Sequence, residues 1–222
     1  MHDQPESGSY HYFLNGEKTA VEEDWSIQPL PGDECLIRSS RRAGGIEISV
    51  EAQRMADELL GCQVRWQSVN GPDLFAIYEL RPDVLRVTVE GPGAECEELE
   101  LPVGSPGQQP LLAPLMRVYA GPVIASLLAR GGEGTVIVPN ITNPGDPSTL
   151  LRPLVSVRSA RLLLAETLRY EGREYRCQCC EYLGDPYSEG ARFWLADDQR
   201  LVRYQWQQAP DKLWDVWVQR EG

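Results

Sequence analysis

The sequence predicts a mainly β protein with a central α segment: a single, highly curved antiparallel sheet wrapped around one or two apolar helices. Three observations lead to this prediction. Short segments that alternate between apolar and polar residues recur along most of the chain, which is typical of antiparallel strands with one wet face. Turns rich in Asn, Gly, Pro and Asp separate these segments. The most apolar run, Leu111–Arg130, lies between two groups of such strands.

About eight strands are predicted before this apolar run. Asn15-Gly16, between the first two, is the strongest short signal for a hairpin turn. The second strand alternates cleanly except at Glu23, which interrupts its apolar face. The turns recur at spacings typical of a meander, and no helical pattern separates the strands, which argues against βαβ units. The stretch Ala52–Leu60 fits either a short helix or an extension of the strand before it.

The apolar run itself is predicted to be helical. Apolar residues occur nearly all round it, which indicates a helix that is covered on several sides. Pro122 removes one interior hydrogen bond, so we expect a kink, or two short helices that meet near Gly121. Gly131-Gly132 follows the run and is a typical helix end.

Strands are predicted again after the helix. They cover Thr135–Val138, Leu151–Val157, Leu162–Tyr170, Glu174–Tyr182, Ala191–Leu195, Leu201–Trp206 and Lys212–Gln219. Residues 1–8 are predicted to form a disordered tail. No repeat, charge block or long linker marks an internal boundary, so residues 9–222 are predicted to form a single antiparallel half-barrel domain.

The charge balance restricts the classes of partner. The chain has 33 Asp and Glu against 21 Lys and Arg, a formal net charge of -12. Nucleic acids and anionic membrane surfaces bind clustered positive charge, so neither is an expected partner. Arg117 and Gly121-Pro122 interrupt the apolar run, which argues against a transmembrane segment. The N-terminus has no secretory pattern, so a cytoplasmic location is expected, and the excess of Arg over Lys is typical of a GC-rich bacterial genome.

No familiar catalytic motif stands out. Both histidines, His2 and His11, lie near the N-terminus, and the sequence has neither a Gly-x-Ser-x-Gly elbow nor a phosphate-binding loop. The cluster Cys177-Gln-Cys179-Cys180 lacks a second pair of metal ligands, so no metal site and no cofactor are expected. We interpret these cysteines as buried strand thiols, with a redox pair as the alternative.

Arg117 is the notable charge within the apolar run. It either extends to the surface, pairs inside the protein, or points into a cavity and holds a carboxylate or phosphate head group. Aromatic residues concentrate in the C-terminal strands, where they could line a cavity or form an ordinary core. The predicted ligand-binding residues are Arg117, Tyr119, Trp194, Tyr204 and Trp206.

The hairpin Phe193–Tyr204 (FWLADDQRLVRY) resembles the strand–turn–strand unit of half-barrel lipid and lipoprotein carriers, the lipoprotein localisation factor-like superfamily. The order of elements is similar too: N-terminal strands, a mid-chain apolar helix, then C-terminal strands. The resemblance implies one long antiparallel sheet curled around helices, with an apolar cavity between sheet and helix. It implies no particular binding residue.

These observations favour a binding or carrier protein for an apolar or lipid-like small molecule, held between the curved sheet and the helix. Two alternatives stay open. One is a structural or interaction protein with a filled core, for which a homodimer is an option. The other is a small-molecule enzyme that uses the same cavity, with Arg117 and a carboxylate such as Glu166 near an aromatic wall.

Overall fold

Most of the chain forms one continuous β-sheet. The computed structural model describes residues 4–56, 58–92, 94–102, 109–187 and 190–221, with the backbone alone at 94–97. In these residues, fifteen strands belong to a single sheet. The described α-helix, α1, spans Ala120–Ala129 and directly follows a 3-10 turn at Arg117–Tyr119. The chain is therefore mainly β with a short central helix, as predicted.

Eight strands precede the apolar run in the described residues, which agrees with the number that the sequence predicts. They are β1 (Glu6–Leu14), β2 (Glu17–Pro29), β3 (Glu34–Ala43), β4 (Ile46–Met55), β5 (Glu58–Ser68), β6 (Leu74–Leu80), β7 (Val84–Gly91) and β8 (Ala94–Pro102). The remaining strands are β9 (Leu111–Leu112), β10 (Glu133–Pro139), β11 (Pro153–Tyr170), β12 (Arg173–Leu183), β13 (Arg192–Ala196), β14 (Leu201–Ala209) and β15 (Lys212–Arg220).

The strands form two meanders that meet at the chain ends. β1 to β8 pair in sequence order, β10 to β15 do the same, and β1 pairs with β15 in the middle of the sheet. All of these pairs are antiparallel. The two-residue β9 joins the far edge by pairing parallel with β10.

The sheet is strongly curved, and the chain that leads into α1 contacts strands that are far apart in its order. The Tyr119 hydroxyl donates to the carbonyl oxygen of Ile37 in β3 (3.1 Å), although this segment starts from β9 at the far edge of the sheet. Across the same interior, the Tyr78 hydroxyl of β6 donates to the carbonyl oxygen of Leu151. β3 and β6 are many places from β9 in the sheet order, so a flat sheet could not make these contacts.

The predicted turn chemistry is confirmed where it was most specific. Asn15 and Gly16 have φ angles of 54° and 84°, the left-handed pair that a two-residue hairpin turn needs. The ambiguous stretch Ala52–Leu60 is a hairpin and not a helix, because β4 ends at Met55 and β5 begins at Glu58.

The predicted disordered tail is too long. β1 begins at Glu6, and its first residues pair with β2 on one side and with β15 on the other. This pairing satisfies the backbone of a polar stretch that has no apolar pattern of its own. Residues 1–3 lie outside the described residues.

The predicted helix Leu111–Arg130 is only about half helical. Its first two residues form β9, and the chain then turns, with Leu115 at a φ of 47°. Pro114 disfavours helical backbone at the residue before it and has no N–H to continue a helix. The apolar composition therefore indicated a buried segment correctly. The helix starts later than predicted, at Ala120, because Pro114 disfavours helical backbone before it.

α1 begins late enough that Pro122 lies in its first turn, where the missing N–H would have no helical partner. The expected break near Gly121 is the junction between the 3-10 turn and α1. The predicted helix end is confirmed, since Gly131 and Gly132 have positive φ angles of 95° and 91°. Gly121 also permits close packing, because a Cβ there would overlap the carbonyl oxygen of Gln199.

Candidate functional site

A cavity of about 350 Å³ opens between the segment before α1, strands β10 and β11, and the loop from β12 to β13. We call it the Arg117 cavity. Much of its lining is apolar, and includes Leu115, Met116, Val123, Val138, Ile141 and Leu154. Its charged lining residues are Arg41, Arg117, Arg158 and Asp185. The cavity therefore combines apolar walls with an excess of positive charge, in a chain whose net charge is -12.

Arg117 is held in the cavity wall by tyrosine hydroxyls. Its Nε donates to the Tyr12 hydroxyl (3.2 Å), and its Nη1 donates to the Tyr187 hydroxyl (2.7 Å). The guanidinium carbon lies 4.4 Å from the centre of the Tyr204 ring, which is within the range of a cation–π contact. These contacts fix the direction of the side chain, so Arg117 pairs inside the protein and does not extend to the surface.

Glu23 in β2 anchors this arrangement from below the cavity wall. It is 1% exposed, and it accepts hydrogen bonds from the backbone N–H of Arg117 (2.6 Å) and from the Tyr12 hydroxyl. Nη1 of Arg41 lies 3.9 Å from its Oε2. A buried carboxylate needs paired charge and hydrogen-bond donors. The residue that interrupts the apolar face of β2 therefore has a specific role in positioning two cavity arginines.

The surroundings keep Arg117 charged, and they keep Tyr12 and Tyr204 neutral. Burial by itself would lower the pKa of Arg117, but the negative charge of neighbouring groups, the Glu23 carboxylate among them, raises it well above its ordinary value. Burial raises the pKa of Tyr204 to about 12. Burial, and then the nearby Glu23, raise the pKa of Tyr12 well above its ordinary value. At neutral pH this wall presents a cation among neutral hydroxyl groups.

Arg158 in β11 is a second arginine of the lining, and it is 6% exposed. Its Nη1 donates to the Tyr182 hydroxyl (2.6 Å), and its Nη2 donates to the backbone carbonyl of Asp185 (2.9 Å). Its Nε is buried and has no hydrogen-bond partner. Both partners of this guanidinium are neutral groups, so its positive charge is not balanced by direct contact with a carboxylate of the described residues.

The cavity opens to the surface beside β11 and the loop after β12. Leu154 and Val155 line it and are 39% and 61% exposed. Asp185 and Pro186 line it from the loop and are also exposed. The interior side is closed by buried residues such as Phe193. A small molecule could therefore enter past apolar side chains without any change in the sheet.

The structure brings two of the five predicted ligand-binding residues, Arg117 and Tyr119, into this lining. Tyr204 and Trp206 lie behind it, where their ring centres are 6.3 Å and 5.2 Å from that of Tyr187. They support the tyrosine that orients Arg117, and they do not line the cavity themselves. Ligand binding by these residues stays a prediction.

Trp194, the fifth predicted residue, does not line the cavity. Successive residues of a strand point to opposite faces, and Phe193 occupies the cavity side of β13. The indole Nε1 of Trp194 donates to Oε1 of Glu166 (2.6 Å). Glu166, the carboxylate named for the enzyme alternative, is thus bound to Trp194 and is also absent from the cavity lining.

Trp194 belongs to a second group of aromatic residues, which we call the Arg203 cluster and define as Trp194, Arg203, Asp215, Trp217 and Tyr170. The Arg203 guanidinium lies between two indole rings, 4.8 Å and 4.5 Å from their centres. Its Nε and Nη2 donate to the two carboxylate oxygens of Asp215 (2.8 and 2.7 Å). Tyr170, at the end of β11, stacks on Trp217 with 4.7 Å between ring centres. The cluster ties the long β11–β12 hairpin to β14 and β15.

Sequence reasoning missed Arg158, Tyr182 and Tyr187 as cavity residues. Arg158 lies in a strand whose neighbours Val155 and Val157 are apolar, so its interruption of the pattern was a usable signal, as it was for Glu23. Tyr187 lies in a loop, where no periodicity applies. Its position is fixed locally by the backbone bridge between Gly184 and Tyr187.

The cysteine cluster is buried and its thiols are free. Burial raises the pKa of Cys177 to about 12 and that of Cys180 to about 11, which makes thiolate chemistry at neutral pH unfavourable.

Throughout the described ranges, no group of three or more His, Cys, Asp or Glu side chains is arranged to hold a metal ion. In the same part of the chain, none of the helical segments combines the length and the apolarity needed to cross a bilayer.

A larger depression of about 470 Å³ lies on strands β2 to β6. Its lining is rich in polar side chains, and charged groups there already contact one another, as in the pair formed by Arg38 and Glu51 (2.7 Å). Arg65 lies over the Phe75 ring, 5.5 Å from its centre. Because its own side chains occupy these contacts, this depression is a weaker candidate than the Arg117 cavity.

Comparison with known proteins bears on the fold. No family model matches the sequence, and no curated protein matches it. Among solved structures, the chain is similar to a crystal structure described as a β-barrel-like protein of domain of unknown function DUF1849 from Brucella abortus. The two are 9% identical, with a TM-score of 0.54 over 99% of this chain and 97% of that chain. At this identity the likeness shows the fold alone: a β-barrel-like architecture, without specific support for the lipoprotein-carrier superfamily.

Proposed function

We propose that the protein binds an apolar or lipid-like small molecule in the Arg117 cavity, between α1 and the curved sheet. The observation that carries this proposal is a surface-connected cavity of about 350 Å³ whose walls are largely apolar. Small-molecule sites are typically concave, mostly apolar and equipped with a few placed polar groups. The Arg117 cavity has each of these properties.

The energetics favour a ligand with an extended apolar part. Each methylene group that leaves water for an apolar wall contributes about 0.8 kcal/mol. Leu115, Met116 and Val123 supply such a wall on the side of α1, and Val138 and Ile141 supply it on the side of β10. The exposed Leu154 and Val155 extend the apolar surface to the mouth.

The same cavity favours binding over the two alternatives. A protein with a filled core would not need an apolar cavity that is open to solvent. An enzyme would need an acid or base aimed at the substrate, and Glu166 is bonded to Trp194 away from the cavity. Asp185 lines the mouth, but it is exposed, so it lacks the shielded surroundings that tune a catalytic carboxyl group.

The proposal can be tested with N-phenyl-1-naphthylamine, a neutral apolar dye whose fluorescence rises in apolar surroundings. We expect saturable enhancement with one site per chain. Ala120→Phe places a bulky ring in the lining and should abolish most of this enhancement. Ala20→Phe makes the same change at an exposed position of β2 and should leave it intact. Native mass spectrometry of the purified protein should also show a co-purified apolar species.

Circular dichroism provides the folding control for both variants. Equal enhancement in Ala120→Phe and the wild-type protein would place the dye elsewhere and contradict the proposed site. Absence of dye binding together with absence of a co-purified species would contradict the proposed function.

A further inference from the structure

We propose that the ligand of the Arg117 cavity carries an oxyanion head group, a carboxylate or a phosphate, which binds to Arg158 and Arg117. This inference rests on the proposed function and names the chemical class of its ligand. It would make the ligand an amphipathic anion, with its head group at the two arginines and its apolar chain along α1 and β10.

The first reason is the bonding of Arg158. Arg158 is only 6% exposed, yet its Nε has no hydrogen-bond partner. Its other contacts are to the Tyr182 hydroxyl and to a backbone carbonyl. A buried guanidinium with neutral partners and one free donor is costly. An oxyanion in the cavity would supply the missing negative charge next to this guanidinium group.

The second reason is the contrast with other arginines of the chain. Arg38, Arg86, Arg161, Arg169, Arg200 and Arg203 each contact at least one carboxylate. Carboxylates are abundant, with 33 in a chain that has 21 basic residues. The guanidinium groups of Arg117 and Arg158 nevertheless bond to neutral oxygens. A shortage of acidic partners does not explain this.

The third reason is the distribution of charge around the cavity. Three arginines line it against one carboxylate, Asp185, at the exposed mouth. Glu23 lies behind the wall, where its two oxygens already contact Arg117 N–H, the Tyr12 hydroxyl and Arg41. It offsets part of the positive charge without filling the cavity. A bidentate arginine contact is a preferred way to bind carboxylate and phosphate groups.

Tyr187 places the two arginines within reach of one ligand. Its hydroxyl accepts from Arg117 Nη1 (2.7 Å), and its ring centre lies 5.9 Å from the guanidinium carbon of Arg158. Both guanidinium groups therefore contact the same side chain, on the cavity side of the loop after β12. A head group between them would also be next to the apolar lining.

The test compares three ligands that share one apolar chain: decanoic acid, decyl phosphate and decanol, each measured by displacement of the naphthylamine dye. We expect the acid or the phosphate to bind about 10-fold more tightly than the alcohol, as one charge-assisted hydrogen-bond pair provides. The stronger of the two anions identifies the head group. Arg158→Met should remove most of this preference and leave decanol binding within about twofold.

Arg65→Met is the matched control, since it removes the same charge from an exposed position of β5 that stacks on Phe75. It should keep the preference for the anion. Retained decanol binding also shows that Arg158→Met folds, and Arg117→Met offers a second variant if it does not. Equal affinity of wild-type protein for anions and alcohol, or an undiminished preference in Arg158→Met, would overturn this inference alone. Failure of all three ligands and the dye to bind would overturn the proposed function instead.

Discussion

Arg203 and Arg158 are both partly or fully buried beside aromatic rings, but they are bonded in opposite ways. Arg203 makes two short hydrogen bonds to Asp215 and lies between the rings of Trp194 and Trp217. Arg158 meets a hydroxyl and a backbone carbonyl, and one of its donors is unused. The first guanidinium is saturated by its own protein, whereas the second is not.

This difference separates a structural arginine from a candidate binding residue. The Arg203 cluster connects four strands, and its charges cancel within the cluster. The Arg117 cavity leaves positive charge facing a space that a small molecule could fill. An aromatic-rich stretch of sequence does not distinguish the two cases, since both regions draw on the same C-terminal strands. What distinguishes them is whether each guanidinium has a carboxylate of its own.

The largest expected effect concerns the carboxylate beneath the cavity. Glu23→Leu would remove the acceptor of the Arg117 backbone N–H and of the Tyr12 hydroxyl, and it would leave Arg41 without its nearby carboxylate. Breaking a buried ionic network from one side costs about 3–5 kcal/mol. Urea unfolding should show a loss of that size. Glu22→Leu, at an exposed neighbour that pairs with Arg42, should change stability by less than about 1 kcal/mol. Similar losses in the two variants would contradict the role assigned to Glu23.

The next effect tests the Arg203 cluster. Arg203→Met removes two charge-assisted hydrogen bonds and two cation–π contacts, all from a partly exposed site, and should cost about 2 kcal/mol in urea unfolding. Dye binding should be unchanged, because Arg203 does not line the cavity. Arg38→Met removes an arginine from an exposed pair and serves as the control. A change in dye affinity without a change in stability in Arg203→Met would contradict the assignment of the Arg203 cluster as structural and of the Arg117 cavity as the binding site.

Arg158→Met should have little effect on stability, in contrast to Arg203→Met. Without ligand, the variant loses two hydrogen bonds but also loses a buried, unbalanced charge, so these terms largely cancel. We expect a change in unfolding free energy of about 1 kcal/mol or less. Calorimetry of the ligand-free protein measures it beside Arg203→Met. A loss larger than that of Arg203→Met would indicate that Arg158 is a structural residue after all.

The smallest effect is the pH dependence of the contact between β1 and the β11–β12 hairpin. His11 Nδ1 is 2.9 Å from the Tyr170 hydroxyl, and Glu171 and Lys18 are the charged groups that act on it. Burial, and then Lys18, lower the pKa of His11 below its ordinary value near 6.5, against an opposing effect of Glu171. Folding therefore favours the neutral ring. Its contribution is complete above pH 6.5 and is lost as the pH falls below it.

This loss should be less than about 1 kcal/mol, because the site is partly exposed. The unfolding free energy is measured for the wild-type protein and for His11→Gln at pH 7.5 and 5.5. The contribution of His11 is the difference between the two proteins in the stability lost between these pH values. The wild-type protein should lose more stability on acidification than His11→Gln does. An identical pH dependence of the two proteins would contradict the lowered pKa.

The fold was largely predictable because its signals are local. Alternation along each strand and the Asn15-Gly16 turn specify neighbouring elements directly, and a meander pairs strands that are adjacent in sequence. The pairing of β1 with β15 and the length of α1 were less accessible. The first joins residues that are 200 to 212 positions apart, and the second depends on how Pro114 and Pro122 divide one apolar run between a turn and a helix.

The candidate site was predictable only in part. Arg117 was recognisable as a charge in an apolar segment, and its neighbour Tyr119 lines the same cavity. Trp194 lies outside the cavity lining, and the sequence could not show this because strand periodicity assigns a face but does not say which face borders a cavity. Glu23 and Arg158 interrupt apolar patterns in distant strands, and their approach to one site depends on the curvature of the whole sheet. Tyr187 lies in a loop, where the sequence carries no periodic signal.

The most direct test is a crystal structure of the protein with 10-bromodecanoic acid, whose bromine can be located by anomalous scattering. We expect the carboxylate to lie within hydrogen-bond distance of the guanidinium groups of Arg158 and Arg117, and the bromine to lie among the apolar side chains of the Arg117 cavity. A bound carboxylate at the mouth with its chain outside the cavity would contradict it, as would a ligand found only at the Arg203 cluster.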